Sequence, residues 1–432
     1  MRHCILVLVV LLTAFGAFAQ KGAPRDSSLL VTHVFAHLGN GQTVADAAIG
    51  IRGGKIEFVA PSSDPRAKAS AFDRVLDAKG LHAYPGFIAP NTRLGLEEIE
   101  SVRATLDYAE VGVFNPNVRS LIAYNTDSDI VPTIRSSGIL LAQICPQGGA
   151  RLAGSSSVVS LESYASWEER AYRADDGLHL NWPERVQVMG WWAEPEGIRR
   201  SEHYANQLKE IREFFTAARA YLALAKPAEK NLRFEAMRPL FAGQSRLYIH
   251  VDDAKSILDA LQFAREYGVK PVVVGGTDAW LVADALREQQ VGVVLHATHS
   301  LPNREDADID QPYKTPALLH QKGVRFCFSL EGSWQQRNLM YQAGQAVGFG
   351  LPKEAAVRAL TLDAANLLGI DATVGSLEPG KDATFILAEG DALDVRSSNV
   401  LAAWIQGRFV GLDDKQKALY RQYREKYGLK ME

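Results

Sequence analysis

Two histidines three residues apart, His296 and His299 in "VGVVLHATHS", close an apolar strand-like run. An imidazole at a strand end can ligate a metal, carry a proton or bond a loop backbone. His250 ends a similar run, "RLYIHV". If the chain curls after Leu295, the three imidazoles converge on a set able to hold a single zinc. A second group lies in "EVGVFNPNVRSLIAYNTDSDIVPTIRSSG", which carries Asn115, Asn117, Arg119, Asn125, Asp127 and Arg135. "CPQGGARLAGSSS" follows, with Gly148, Gly149, Ser155 and Ser156 as further donors. Such groups suit a polar or anionic small molecule, although Asn-Pro-Asn and Gly-Gly also make turns by themselves. Ser155, Ser156 and Ser157 do not stand in GxSxG, so a nucleophile elbow is not supported. The acidic run Glu305, Asp306, Asp308 and Asp310 reads as solvated loop.

These side chains need elements to hold them. The runs "HAYPGFIA", "GILLAQIC", "RLYIHV", "KPVVVGG", "VGVVLHA" and "VRFCFSL" read as strands. Helix-like runs lie between several of them, such as "DDAKSILDALQFAREYG", capped by acids and closed at Gly268. The alternation implies parallel βα units and fits an α/β fold of the (β/α)₈ TIM barrel type. Neither GxGxxG after an early strand nor GxxxxGK[ST] is present, which disfavours a nucleotide-binding sheet. Short β segments and glycine turns mark both chain ends, in "SSLLVTHVFAHLGNGQTVADAAIGIRGGKIEFVAP" and in "VGSLEPGKDATFILAEGDALDV". They predict a composite β-sandwich domain, residues 20–84 with 372–412, flanking a barrel over 85–371. Residues 413–432 read as a helix packing over that domain through Leu419, Tyr420 and Tyr423. Ser163 to Pro239, rich in tryptophan, reads as one long βα insertion with an amphipathic helix.

The composition is that of a globular protein, with 47% apolar and 22% charged residues in a chain of 432. A net charge of −3 without a basic block gives no footprint for nucleic acid or anionic lipid. The opening "MRHCILVLVVLLTAFGAFAQ" has a basic start, a short apolar run and Ala17-Phe18-Ala19. Residues 1–19 thus read as a signal peptide, and the mature protein as periplasmic or secreted and free of the membrane. Cys145 and Cys327, in apolar runs, read as buried thiols rather than a disulfide framework.

Several stretches together resemble the amidohydrolase superfamily, near its imidazolonepropionase-like and dihydroorotase-like branches. "DAKGLHAYPGFI" is similar to the strand entering the barrel, and "YIHVDDAKSILDALQFAREYGVKPVVVGGTDAW" to strands five and six. "GVRFCFSLEGSW" is similar to strand eight, and "VGSLEPGKDATFIL" to the return into the β domain. The resemblance implies hydrolysis of non-peptide carbon–nitrogen bonds, with one or two divalent metals lowering the pKa of a bound water. The ligands it implies are an HxH after strand one, a lysine on strand four, a histidine on each of strands five and six, and an aspartate on strand eight.

Those positions are eroded here. Asn91 and Arg93 stand for the HxH, Gly276 for the strand-six histidine and Glu331 for the aspartate. His250 matches the strand-five histidine, so His250 and Glu331 are the only matched ligand positions, and no metal ligand is assigned. A zinc needs about three protein ligands, and a guanidinium at position 93 repels a dication, so a binuclear centre is not expected. Arg93 is instead expected to reach Glu331 as a two-pronged pair, with Arg93, His250 and Glu331 as catalytic groups. Asn91, Asn117, Arg119, His296 and His299 are the substrate-binding candidates. Three functions stay open: a metal-poor hydrolase of cyclic amides or dipeptide-like compounds, an inactive pseudoenzyme, and a metal-free lyase or isomerase. The partner expected is a small molecule, with a homo-oligomer or a pairing with a related amidohydrolase beside it.

Overall fold

Strands arise where apolar residues alternate, or run unbroken, between turn residues, and this chain uses both patterns. The computed structural model describes residues 28–162, 166–191, 194–304 and 306–429. The expected signal segment 1–19, together with Ser163, Trp192 and Glu305, lies outside them. In chain order come β1 (Leu29–His37), β2 (Thr43–Arg52), β3 (Lys55–Pro61), β4 (Arg74–Asp77) and β5 (His82–Pro85). The barrel strands follow: β6 (Phe87–Thr92), β7 (Ile139–Ile144), β8 (Leu152–Ser160) and β9 (Ala171–Asn181). A hairpin, β10 (Val186–Trp191) and β11 (Glu194–Arg200), interrupts them. Then come β12 (Arg246–Val251), β13 (Pro271–Gly275), β14 (Val293–Leu295) and β15 (Phe326–Phe328).

The last strands, β16 (Phe385–Glu389), β17 (Asn399–Ile405) and β18 (Arg408–Val410), return to the first sheet. Its order is β18-β17-β16-β5-β1-β2-β3, with β4 beside β1, so both chain ends build it. Its core includes Val31, Ile49 and the stacked pair Phe385 and Trp404, whose rings lie 4.6 Å apart.

The second sheet runs β6-β7-β8-β9-β12-β13-β14-β15, and its end strands β6 and β15 approach one another without a ladder. This is the TIM-barrel-like wall, with one departure from a regular (β/α)₈ repeat. β8 runs antiparallel to both β7 and β9. Antiparallel neighbours need no helical crossover, and only residues 145–151 separate β7 from β8. At the mouth end, residues 113–119 lie beside β8 where β7 has already ended. The Leu152 and Ser155 amides bond Val113 and Val118 carbonyls there, through isolated bridges.

Two sequence expectations change accordingly. Ser155 and Ser156 are buried strand residues, not loop donors. The stretch from Ser163 to Pro239 is not one insertion, because it contains the barrel strand β9, the hairpin and the helix Tyr204–Leu222. β9 escapes a pattern search because Gly177 has no side chain, and a Cβ there would strike the Tyr248 ring at 2.4 Å.

Inside the barrel, Ile88, Leu141, Val158, Val272, Val274, Val294 and Cys327 form one apolar layer. The helix Leu362–Leu368 closes the end at which the parallel strands begin, and its Ala364, Ala365, Leu367 and Leu368 join that layer. Cys145 and Cys327 are free, buried thiols. The C-terminal helix, Lys415–Lys426, does not bury its apolar stripe. It docks on the helix Ile130–Ser136 through Lys415–Asp129, Gln416–Thr133 and Asp414–Ser136 contacts. Leu419, Tyr420 and Tyr423 are left exposed.

Candidate active site at the barrel mouth

Side chains alternate along a strand, so the inward partners of Tyr248 on β12 are two residues apart, and His250 is the next. In register, Tyr248 lies opposite His179 of β9, and His250 opposite Asn181 on one side and Val274 on the other. The two histidines meet: His179 Nδ1 lies 2.9 Å from His250 Nε2. The His179 ring also stacks on Tyr248, with centroids 4.8 Å apart. Burial, reinforced by the neighbouring imidazole, holds His179 well below its ordinary pKa. Burial and the nearby His296 bring His250 down to about 4, against a small opposing pull from Asp252. Both imidazoles are therefore neutral at pH 7, and one proton sits between them.

Beneath the pair the barrel core is polar, where aliphatic layers are usual. The Tyr248 hydroxyl donates to Asp176 at 2.6 Å, and Ser156 Oγ and Gln143 Nε2 each donate at 2.8 Å. Burial raises the Asp176 pKa, while these three donors stabilise the carboxylate. Asp176 reaches the interior because β9 bulges at Asp175, which has φ 50°.

Above the pair, Asp252 accepts from the Thr277 hydroxyl at 2.7 Å, and His296 Nε2 lies 3.9 Å from its other oxygen. The approach depends on Gly275. A Cβ there would stand 2.7 Å from Asp252 Oδ1 and 2.9 Å from His296 Nε2, on a backbone with φ +97°. Two adjoining cavities open at this level, about 770 Å³ and about 620 Å³, and share Asp252, Thr277, Asp278, Asn303 and Arg304. His250 lines the larger, while His296, His299 and Glu331 line the smaller. Such volumes match small-molecule sites.

Several expected site residues are placed elsewhere. Arg93 does not pair with Glu331. Its Nη1 lies 3.3 Å from Glu97, its Nε bonds Gln147, and its guanidinium sits 4.2 Å over the Tyr108 ring. The reason is local, since the turn after β6 brings Glu97 within reach four residues on. Glu331 is exposed and has no hydrogen-bond or ion-pair partner among the described residues. Asn91 bonds the Gln143 side chain through its amide, and its buried Oδ1 has no partner. Arg93 and Asn91 line neither cavity. Asn117 is exposed, Arg119 pairs with Asp175 at 2.7 Å, and neither lines the two cavities. His299 lines a different cavity from His250, and its amide and the Thr298 hydroxyl are tied to Gln342. The three-histidine set for a single zinc is not assembled; only His296 comes near His250.

The sequence reading did not single out His179 or Asp252. His179 stands in "DDGLHLNWP", where the bulge hides the alternation, and Asp252 in "DDAKS" looks like a helix cap. The superfamily's metal pair does not fit these residues. Besides the two strand-one replacements, a side chain at Gly276 would meet Val293 at 2.7 Å with φ +63°, so that position has no room for an imidazole. Among the described residues no group of three or more His, Cys, Asp or Glu is arranged to hold a metal.

A barrel of this kind, with a composite sheet from both chain ends and a histidine at the end of strand five, is the amidohydrolase architecture. The model of the Amidohydrolase family matches residues 188–415, and the chain belongs to that family. Imidazolonepropionase of Shewanella baltica (strain OS185) is 26% identical over 382 residues, covering 80% of this chain and 86% of the relative. Among solved structures, an amidohydrolase from Thermotoga maritima MSB8 superposes with a TM-score of 0.73 at 22% identity, covering 89% of this chain and 99% of its own. A Xaa-Pro dipeptidase with bound methionine shares the fold at a TM-score of 0.54 and 14% identity, covering 89% of this chain and 100% of its own.

Proposed function

We propose that this protein hydrolyses a non-peptide carbon–nitrogen bond in a small cyclic amide or dipeptide-like molecule, with side chains where the superfamily resemblance implies metal. Family membership and the imidazolonepropionase relatives support the reaction class. The observation that carries the site is the neutral His179–His250 pair at the floor of a cavity rimmed by Asp252.

In this reading His179 Nδ1–H donates to His250 Nε2, because the opposite tautomer would bury an unpartnered His179 Nε2–H. His250 Nδ1–H is then a neutral donor for the oxygen of the scissile carbonyl as negative charge gathers there. His296, with Asp252 beside it to stabilise the imidazolium, takes the proton of the attacking water and returns it to the leaving nitrogen. Residues 1–19 support a periplasmic or secreted setting for this activity.

The test is a panel of cyclic amides and N-acyl amino acids, followed by mass spectrometry with a chelator and with added zinc. Turnover that survives the chelator and is lost in His296→Gln and Asp252→Asn is the expected result. No turnover under either condition, or turnover only with zinc, would overturn the reading.

A further inference from the structure

The larger cavity is lined by three arginines, and they are not alike. Arg185 is paired with Asp259 and stacked on Tyr204. Arg304 is paired with Asp278 at 3.5 Å and with Asp306 at 2.5 Å. Arg151 has no carboxylate in contact among the described residues. Its Nη1 donates to the Asn181 carbonyl at 3.1 Å, and its buried Nε has no partner among the described residues. Burial works against its charge, and Glu210 and Glu184 act on it only from a distance.

Its position is fixed in advance. The Asn181 amide donates to the Arg151 carbonyl at 2.9 Å, and the Asn181 side chain ties the carbonyls of Gly148 and Ala150 at 3.0 and 2.7 Å. Asn181 is also the register neighbour of His250. The loop that carries Arg151 is thus anchored one strand from the histidine pair, with donors left over. A half-buried guanidinium without an anion forgoes a charge-assisted, two-pronged bond that its geometry suits.

We infer that Arg151 receives the carboxylate of the substrate, so that the molecule hydrolysed is an amide bearing one carboxylate at the end remote from the reacting carbonyl. This rests on the hydrolase reading for the reaction, but the binding step can be measured without it.

The experiment is titration calorimetry of the full chain with matched probes, N-acyl amino acids against their neutral primary amides, and with inorganic phosphate as a further probe. The acids are expected to bind at least tenfold more tightly than the amides and more tightly than phosphate. Arg151→Met should erase the difference, and Arg151→Lys should restore part of it, with circular dichroism showing that both variants fold. Equal binding of acid and amide, binding of neither, tighter binding of phosphate, or a preference that survives Arg151→Met would each overturn the inference. Hydrolysis of the same compounds is scored separately. Acids that bind through Arg151 but are not cleaved would overturn the hydrolase reading and leave this one standing.

Discussion

His179 and His250 share one proton across 2.9 Å, with His179 fully buried and His250 lining the larger cavity. Both have folded pKa values below the ordinary 6.5, His250 at about 4. Above pH 6.5 the folded and unfolded chains both carry them neutral, and the pair costs nothing. As pH falls, the unfolded chain takes up protons that the folded one refuses. Stability should therefore drop from about pH 6.5 to about pH 4, by up to roughly 1.4 kcal/mol per pH unit for each histidine. Urea denaturation at stepped pH measures the slope, and His179→Gln should reduce it. A flat profile over that window would exclude the buried neutral pair.

Gly275→Ala should harm both stability and activity. The left-handed backbone and the crowding of Asp252 and His296 together predict a loss of about 1–3 kcal/mol and at least tenfold in turnover. Gly268→Ala is the control, because Gly268 also has positive φ but open space around it. It should lose about 1 kcal/mol and leave turnover intact.

Restoring the histidines of strand one should not restore a metal centre. Asn91→His with Arg93→His still lacks a strand-six ligand, and elemental analysis is expected to find no stoichiometric zinc. Arg93→Met alone should cost about 1–3 kcal/mol, because the nearly buried Glu97 carboxylate loses its cation. Stoichiometric zinc in the double variant would show that Gly276 is no obstacle.

Tyr248→Phe keeps the ring beneath His179 but removes the hydroxyl donor to Asp176. A loss of about 1–3 kcal/mol with near-normal turnover is expected, from denaturation curves and initial rates. Turnover falling with stability would mean that the polar core takes part in the chemistry.

Much of the fold was legible because it is written in local pattern. Pro271–Gly275, bounded by turns, could only be a short buried strand, and Asp253 and Gly268 mark both ends of the helix between. β8 and β9 were not legible. Their direction is decided by neighbours, and the bulge at Asp175 breaks the period that would have exposed Asp176 and His179. For the site, matched positions pointed to His250, which lines the larger cavity. They misled at Arg93, since a position in a motif says nothing about which carboxylate is nearer, and Glu97 lies only four residues away. Arg151 carried no signal, because what distinguishes it is the lack of a contact.

The reversed course of β8 also sets how this wall can breathe. Its mouth half is bordered on one side by residues 113–119, an irregular chain holding on through single bridges where neighbouring strands from β9 to β15 have continuous ladders. Opening such a seam costs less than unfolding the whole chain. The amides of Leu152 and Ser155 should exchange with deuterium well before those of Ile249 and Val273. A compliant edge of the cup then lies directly beside Arg151, on the side where an incoming molecule would be met.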